Sequence, residues 1–231
     1  MAKIFKQNDC NQCKKRIEVF KVLREQDWKL IEETRYEVLY HAGETIFKQG
    51  TSFTHSVCIL EGLVKVYIES ENRKKFILSM MRPGDMIGSP GMFIDNRHYF
   101  SAVAVEDTLA CHVERRVIEE VIKSNNLFAV EMLKRAHMRD VNNFQKFESL
   151  TQKQMPGRVA EVILYLFRAV YKSNPLILTI TRQDIADMAS ITKEGTIRVL
   201  KDFKDAGLIT LNGNELKILN EKALESISDV G

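Results

Sequence analysis

The chain has 231 residues, a length that suits two domains, and its 45% hydrophobic and 28% charged residues are typical of a globular protein. A formal net charge of +3 neither requires nor excludes a nucleic-acid partner. The first residues lack an apolar run followed by a cleavage site, and no apolar run approaches the ~20 residues of a membrane span. We therefore expect a cytoplasmic protein with no membrane partner. The four cysteines should then be thiols or metal ligands rather than structural disulfides; they are Cys10, Cys13, Cys58 and Cys111.

The N-terminal part of the chain changes from helical to β-type patterning. Residues 17–34 mix apolar and charged side chains in a way that predicts one or two short helices. From residue 36 to about residue 113, short β-type runs alternate with glycines at regular spacing. That pattern is typical of an antiparallel barrel or roll.

Helical periodicity returns at about residue 114 and continues to residue 149. Apolar side chains form a stripe along one side of this helix. The stripe predicts either self-association of two parallel helices or packing against the roll. A Met-Pro-Gly sequence at 155–157 interrupts the helix and is the predicted hinge. The side chains of the stripe are spaced by threes and fours, and they are Leu133, His137, Val141, Phe144 and Phe147.

Residues 181–206 predict two short helices separated by a tight turn. Thr181 followed by Asp184 forms a capping box that begins the first helix, and Thr192 is placed to cap the second. Gly207 then occupies the position where a left-handed residue ends a helix. Two strand-like runs around an Asn-Gly-Asn turn at 212–214 predict a hairpin. Helix, turn, helix and hairpin together make a winged helix-turn-helix.

The second of these helices has one apolar sector and one charged sector. At 100° per residue, Glu194, Arg198 and Lys201 lie opposite the apolar side chains. Arg can bridge guanine O6 and N7, and Glu can accept from cytosine N4, so such a face can read bases in a major groove. A solvated amphipathic helix gives the same pattern, but the hairpin that follows favours double-stranded DNA. The predicted contacts are Lys193, Glu194, Ile197, Arg198 and Lys201, with Thr181, Arg182 and Thr192 at the helix starts.

In their order along the chain, these segments resemble the Crp/Fnr family of bacterial transcription regulators, from about residue 20 to residue 219. Each motif alone is weak evidence for the family, but all of them together in this order are specific to it. The motifs in the predicted roll are AGETIFKQG at 42–50, ILEG at 59–62 and RPGDMIG at 82–88. Those in the C-terminal part are GRVA at 157–160, TRQDIA at 181–186 and TKEGTIRVL at 192–200.

The resemblance implies an α+β fold with an N-terminal antiparallel β-roll of the cyclic-nucleotide-binding jelly-roll type, a long dimerisation helix and a C-terminal winged helix-turn-helix. Residues 1–116 would hold the N-terminal helices and the sensing roll, residues 117–153 the dimerisation helix and hinge, and residues 154–231 the DNA-binding domain. It implies a homodimer that binds a palindromic operator, with RNA polymerase as a further partner. The family's base-reading Glu and Arg match Glu194 and Arg198, and Lys193 stands where cyclic-AMP receptors place an Arg.

The expected effector pocket departs from that of cyclic-nucleotide binders. Such proteins have a Gly-Glu-x-Gly turn whose Glu holds the ribose, whereas here Ser89 replaces the Glu. Their phosphate-binding Arg-Ser pair aligns with Phe100 and Ser101, and loss of the Arg removes a charge-assisted bidentate contact. Cyclic AMP is therefore disfavoured, although Arg97 or His98 could meet another anion. The predicted pocket positions are Gly88, Ser89, Gly91, Phe100 and Ser101, with Asn143 and Phe144 at the positions that reach the adenine.

A redox signal is the alternative. Oxygen sensors of the Fnr branch hold a 4Fe–4S cluster with N-terminal cysteines and one from the roll, and Cys10, Cys13 and Cys111 match that pattern. The third N-terminal cysteine would fall at Val19, so the ligand set is incomplete. A carboxylate such as Asp9 could supply the fourth ligand, or the Cys-x-x-Cys pair could act as a thiol switch.

Other possibilities stay open for the cofactor and the function. Haem is used by some relatives, and the spacing of the five histidines singles out no axial ligand; they are His41, His55, His98, His112 and His137. The pocket could instead be empty or bind an apolar or acidic metabolite. An enzyme is disfavoured, because the chain has no P-loop, Rossmann loop, His-Glu-x-x-His or nucleophile elbow. A regulatory module without DNA binding is disfavoured by the helix-turn-helix.

Overall fold

The computed structural model describes residues 3–5 and 17–230 of the chain, and the side chains of residues 17–229. The described residues divide into two compact units, one of residues 3–5, 17–74 and 78–140, the other of residues 75–77 and 141–230. The boundary falls inside a helix and inside a strand.

The first unit contains two antiparallel sheets, as predicted for a roll. The strands of these sheets are β1 Lys3–Phe5, β2 Tyr36–Tyr40, β3 Thr45–Phe47, β4 His55–Glu61, β5 Val64–Glu69, β6 Lys75–Met81, β7 Met86–Ile87, β8 Ser101–Ala104 and β9 Thr108–Glu114. The first three residues of β6 are grouped with the second unit. The strand order is β1-β2-β9-β4-β7 in one sheet and β3-β8-β5-β6 in the other.

The two faces of the first sheet pack into two separate hydrophobic clusters. On β4, Val57 and Ile59 belong to the interior cluster between the sheets, whereas Cys58 and Leu60 belong to a second cluster on the outer face. The period of two along a strand produces this alternation. The outer face is covered by the predicted N-terminal helices, a 3₁₀ helix at Glu18–Val22 and α1 at Glu25–Thr34, and by α2 at Arg115–Ser124.

The single helix predicted from residue 114 to residue 149 is wrong in one respect, because it is broken at Asn125. Helix α2 ends there and α3 runs from Asn126 to Gln152. The Asn125 side chain accepts from the Phe128 amide at 3.1 Å and donates to the buried Asp27 carboxylate at 2.7 Å. Asn125 thus caps the new helix and ties it to α1, which a periodicity argument cannot detect.

The apolar stripe lies on α3 and is exposed in the single chain. Leu133 is 56% exposed, Phe144 66% and Phe147 61%. Among the described residues, no helix is both long and apolar enough to cross a membrane.

The second unit is mainly helical, with a small sheet. Helix α4, Met155–Tyr165, continues as a π-helical segment, Leu166–Tyr171, and packs against the last helix, α7, Glu221–Val230. Between them come β10 Leu176–Ile177, α5 Arg182–Ala189, α6 Lys193–Asp205, β11 Ile209–Asn212 and β12 Glu215–Ile218. The strand order β10-β12-β11 places the predicted hairpin at one edge. The α+β prediction, a roll followed by a winged helix-turn-helix, is confirmed.

His98 is buried in the roll although it carries a polar ring. It stacks on Phe47, with ring centroids 3.8 Å apart, and meets the edge of Phe53 at 5.2 Å. Its Nδ1 has no hydrogen-bond partner among the described residues. Desolvation lowers the pKa of His98 to about 4, so the ring is neutral at neutral pH. A neutral buried ring cannot serve as the cation for an anionic ligand.

A tight turn in the first unit yields a prediction about packing. Gly62 has a φ of +86°, and a Cβ added there would lie 2.5 Å from the Asp107 carbonyl oxygen and 2.5 Å from Thr108 Oγ1. Gly84 also has a positive φ, +98°, but an added Cβ would meet no atom within 4 Å. We expect Gly84→Ala to reduce the free energy of unfolding by about 1 kcal/mol and Gly62→Ala by at least about 3 kcal/mol, measured by urea denaturation. Equal losses would contradict the packing argument.

A second prediction concerns pH. The folded-state pKa of His98, about 4, lies below the ordinary value of 6.5, so the unfolded chain takes up a proton first as the pH falls. Stability is therefore complete above pH 6.5 and is lost as the pH falls towards 4. His98→Phe should lose less stability between pH 7 and pH 5 than the wild type, by up to about 2 kcal/mol.

The control is Ile94→Leu, which replaces an exposed uncharged side chain of the first unit and should keep the wild-type pH dependence. Denaturant titrations at both pH values measure the difference. The free energy of unfolding should still fall between pH 7 and pH 5 in every variant, because desolvation also lowers the pKa of His112 to about 4. An equal loss of stability between pH 7 and pH 5 in His98→Phe and the wild type would contradict the prediction.

Candidate functional site

The start of α5 is fixed by the predicted capping box. The Thr181 hydroxyl accepts from the Asp184 amide at 3.1 Å, and the Asp184 carboxylate accepts from the Thr181 amide at 2.8 Å. Asp184 is buried, so these bonds satisfy groups that water does not reach. The capping role predicted for Thr181 is confirmed, and its side chain remains exposed.

The turn between the helices is equally well defined. Ser190 ends α5 in the left-handed conformation, with a φ of 52°. The Thr192 hydroxyl then accepts from the Gly195 amide at 3.0 Å and caps α6 as predicted. Gly195 is buried at this start, where an added Cβ would lie 3.2 Å from Thr192 Oγ1. Gly207 follows α6 with a φ of 69°, as expected of a helix-ending glycine.

Helix α6 presents the charged face and buries the apolar one. Thr196, Val199, Leu200 and Phe203 are all buried. Ala206, the residue just after the end of α6 at Asp205, is exposed. The side chains of α6 that were predicted to contact DNA are exposed, and they are Lys193, Glu194, Ile197, Arg198 and Lys201.

The hairpin behind α6 is tied to the start of α5. In it, Asn212 pairs with Glu215 across the two-residue turn of Gly213 and Asn214. Arg182 donates from Nη2 to the Gly213 carbonyl oxygen at 2.8 Å. Arg182, predicted as a DNA contact, thus holds the wing turn and is only half-exposed.

The predicted effector positions of the roll are packed into it. The Ser89 hydroxyl donates to the Arg97 carbonyl oxygen and accepts from the Gly91 amide at 3.1 Å. A Cβ added to Gly91 would lie 2.3 Å from that same carbonyl oxygen, so this glycine is required by packing. The Phe100 ring is buried in the interior cluster. Ser101 is buried as well.

The remaining predicted effector positions, Gly88, Asn143 and Phe144, are not packed in this way. An added Cβ at Gly88 would meet no atom within 4 Å. Asn143 and Phe144 are exposed on α3 and belong to the second unit. An open cleft of about 530 Å³ in the first unit is lined by Phe53, His55, Arg97 and neighbouring residues, and by none of the predicted effector residues.

Cys111 is buried on the outer face of the first sheet, directly opposite Cys58 on β4. Cys10 and Cys13 lie outside the described residues. Within residues 3–5 and 17–230, no group of three or more His, Cys, Asp or Glu side chains could hold a metal ion. The pairing of Cys58 with Cys111 was missed from the sequence, because strand pairing is a non-local property.

Comparison with known families agrees with this architecture. Residues 37–125 match the model of the cyclic nucleotide-binding domain, and residues 157–227 match that of the Crp-like helix-turn-helix domain. Together the two matched regions cover more than half of the chain.

Individual relatives point the same way. The chain is 26% identical over 185 residues to the cAMP-activated global transcriptional regulator CRP of Salmonella typhimurium, covering 78% of this chain and 87% of that protein. It is 24% identical over 205 residues to the transcriptional regulatory protein btr of Bordetella pertussis, covering 86% and 84%. These relatives are transcription regulators and not enzymes.

Solved structures share the fold. FixK2 from Bradyrhizobium japonicum superposes with a TM-score of 0.77 at 21% identity, covering 84% of this chain and 97% of that one. A CRP/FNR-family transcriptional regulator from Thermus thermophilus gives a TM-score of 0.70 at 19% identity, covering 84% and 100%. With the matched domains in this order and the capped helix pair in place, the chain belongs to the Crp/Fnr family of DNA-binding transcription regulators.

Proposed function

We propose that the protein acts in the cytoplasm as a homodimer that binds a palindromic operator and regulates transcription, with RNA polymerase as a partner. The observation that carries the proposal is the exposed face of α6. Glu194, Arg198 and Lys201 project from a helix whose opposite face is buried and whose start is capped. Two such helices, one from each protomer, would enter successive major grooves.

Within that face the residues differ in chemistry. Arg198 can bridge guanine O6 and N7, and Glu194 can accept from cytosine N4, so these two are proposed to read bases. Lys193 and Lys201 suit phosphate oxygens, which position the protein without reading sequence. Ile197 offers an apolar contact for a thymine methyl group. Thr181, Arg182 and Thr192 are proposed to contact the DNA backbone at the helix starts.

A dimer is proposed because one DNA-binding unit carries little electrostatic attraction. Residues 151–231 contain 11 Lys and Arg against 10 Asp and Glu. Tight binding therefore requires two contact surfaces. The exposed stripe on α3 offers the surface for association, since its five side chains follow one another at intervals of three or four residues, as in a coiled-coil seam; they are Leu133, His137, Val141, Phe144 and Phe147.

The proposal also assigns a function to each part of the chain. Residues 1–116 would sense a signal, residues 117–153 would join the protomers, and residues 154–231 would bind DNA. Cyclic AMP remains disfavoured as the signal. Ser89 uses its hydroxyl on Arg97, and Phe100 fills the interior where a cyclic phosphate would need an Arg.

A redox signal is the second candidate. The specific observation in its favour is the direct opposition of Cys58 and Cys111 across β4 and β9. It places a second thiol beside the roll cysteine that the Fnr pattern selects. The proposed redox residues are Cys10, Cys13 and Cys111, as ligands of an iron–sulfur cluster or as a thiol switch; Cys10 and Cys13 lie outside the described residues.

The first prediction from this proposal concerns base reading. Arg198→Ala should abolish sequence-specific DNA binding while leaving the fold intact, because each lost bidentate contact costs about 1–3 kcal/mol and is lost twice in a dimer. Gel-shift titration against an operator selected from random sequence measures the effect.

Lys222→Ala is the matched control. It removes an exposed cation from α7 of the same unit, so it changes the net charge without touching α6. It should retain operator affinity within about twofold at fixed salt. Operator affinity unchanged by Arg198→Ala would exclude α6 as the reading helix.

The second prediction concerns the dimer. Phe147→Glu should convert the protein to monomers at micromolar concentration, because the stripe would then bury two unpaired carboxylates in its seam. Light scattering after gel filtration measures the mass. Phe93→Glu is the control, since Phe93 is 65% exposed against 61% for Phe147 but lies in the first unit. A dimeric Phe147→Glu variant would exclude the stripe as the interface.

A further inference from the structure

The open cleft of the first unit, about 530 Å³ in volume, contains none of the predicted effector positions. Three segments line it. They are residues 52–55 at the start of β4, residues 95–97 in the loop before β8, and residues 114–116 where β9 passes into α2. The volume lies within the ~300–1,000 Å³ that is typical of small-molecule sites. The cleft is therefore large enough to hold a metabolite.

Backbone hydrogen bonds hold the three segments together. The Phe53 amide donates to the Asn96 carbonyl oxygen at 2.7 Å, which joins the first segment to the second. The Arg115 amide donates to the Thr54 carbonyl oxygen at 2.9 Å, which joins the first segment to the third. An isolated β-bridge joins the first two segments again. Because these bonds use main-chain groups, substitution of a lining side chain should leave the cleft in place.

Two of the five charged side chains in the lining are engaged within their own segments of chain. Arg115 donates from Nη1 to Glu119, one turn further along α2. The Asp95 carboxylate accepts from the Tyr99 hydroxyl and from the Arg97 amide, each at 3.1 Å. Both oxygens of Asp95 are thus occupied by uncharged donors of the same loop.

The guanidinium groups of Arg97 and Arg116 have no such engagement. Both side chains are exposed, and neither is ion-paired with a carboxylate of the described residues. They belong to two different walls of the cleft. Glu114, the last charged residue of the lining, is the cross-strand partner of His55 and interacts electrostatically with that ring. A guanidinium group can bind phosphate oxygens with two parallel hydrogen bonds, so two of them in one cleft suit a doubly charged phosphate.

The uncharged part of the lining suits a hydroxylated molecule. Ser52 offers a hydroxyl and Asn96 a side-chain amide, and each group can donate and accept. Both residues are exposed, whereas Phe53 is buried and adds apolar surface to the lining. A ligand with a phosphate group at one end and hydroxyl groups along the rest matches this distribution.

We propose that the cleft binds the phosphate monoester of a small hydroxylated metabolite, such as a sugar phosphate. Arg97 and Arg116 hold the phosphate group, one from each wall, and Ser52 and Asn96 bind hydroxyl groups of the ester. As a signal for residues 1–116 of the regulator, this ligand rests on the proposed function. Its binding to the cleft does not depend on whether α6 binds DNA.

The test is calorimetric titration of the full chain, at fixed salt, with the terminal phosphate esters of glucose, ribose and glycerol. Glucose is the matched ligand without the phosphate group, and inorganic phosphate is the matched ligand without the hydroxylated part. We expect at least one ester to bind several-fold more tightly than inorganic phosphate, because only the ester also reaches Ser52 and Asn96. Glucose should give no saturable heat.

Substitutions in the lining test the two parts of the site separately. Arg97→Ala and Arg116→Ala should each weaken binding of the ester by about tenfold or more, because each removes charge-assisted hydrogen bonds. Ser52→Ala should weaken the ester and leave inorganic phosphate unchanged. Lys123→Ala is the matched control, since it removes an exposed cation of α2 that does not line the cleft. It should keep the affinity within about twofold, because salt screens its charge.

A second measurement uses the wild-type chain alone. Phenylglyoxal modifies exposed guanidinium groups, and mass spectrometry of the resulting peptides locates each modified arginine. Bound ester should slow the modification of Arg97 and Arg116 and leave that of Arg73, which is exposed outside the cleft, unchanged.

Three results would overturn the proposal. They are the absence of binding by all three esters, equal affinity for the esters and inorganic phosphate, and an ester affinity that survives both arginine substitutions. The last two would indicate an adventitious anion or another site. None of them alters the expected effect of Arg198→Ala on operator binding, so failure of the cleft and failure of the proposed DNA-binding function are distinguishable.

Discussion

The antiparallel pairing of β4 with β9 is the constraint on which the first unit of the molecule depends. Because side chains alternate along a strand, this single register builds two cores at once. Ile59 and Ala110 face the interior of the roll, while Cys58 and Cys111 face the helices outside it. A slip of one residue would exchange the two sets, placing the thiols inside the roll and removing His112 from its contact with Tyr40.

The DNA-binding half depends on short-range bonds instead. Two hydroxyls, those of Thr181 and Thr192, satisfy amides that the first turns of α5 and α6 leave without helical partners. They fix where each helix begins and therefore which side chains of α6 face outward. Arg182 then holds the wing turn against α5 through the Gly213 carbonyl. The starts of α5 and α6 are thus fixed by bonds between residues three apart, and the wing turn by one bond that spans 31 residues.

That difference explains how much the sequence could predict. Caps, turns and helical faces depend on neighbours, so both helices of the motif, their hydroxyl caps and the exposure of Arg198 were predicted correctly. Register and side-chain partners across the fold depend on distant residues. The break at Asn125, which is set by the distant Asp27, was therefore missed, and so was the opposition of Cys58 to Cys111. The effector positions illustrate the same limit, since alignment selected Ser89 without revealing that its hydroxyl is already bonded.

The two cores also differ in what a signal could change. In the interior, Phe100 and Ala102 are packed where a polar ligand would have to displace apolar side chains. The outer cluster instead joins the thiols to α1, to α2 and to Phe128 near the start of α3. Phe128 is fully buried there and packs against Phe20 with the two rings tilted, their centroids 6.1 Å apart. The outer cluster is therefore continuous with the start of α3, the helix that carries the proposed dimer stripe, whereas the interior cluster contains no residue of α3.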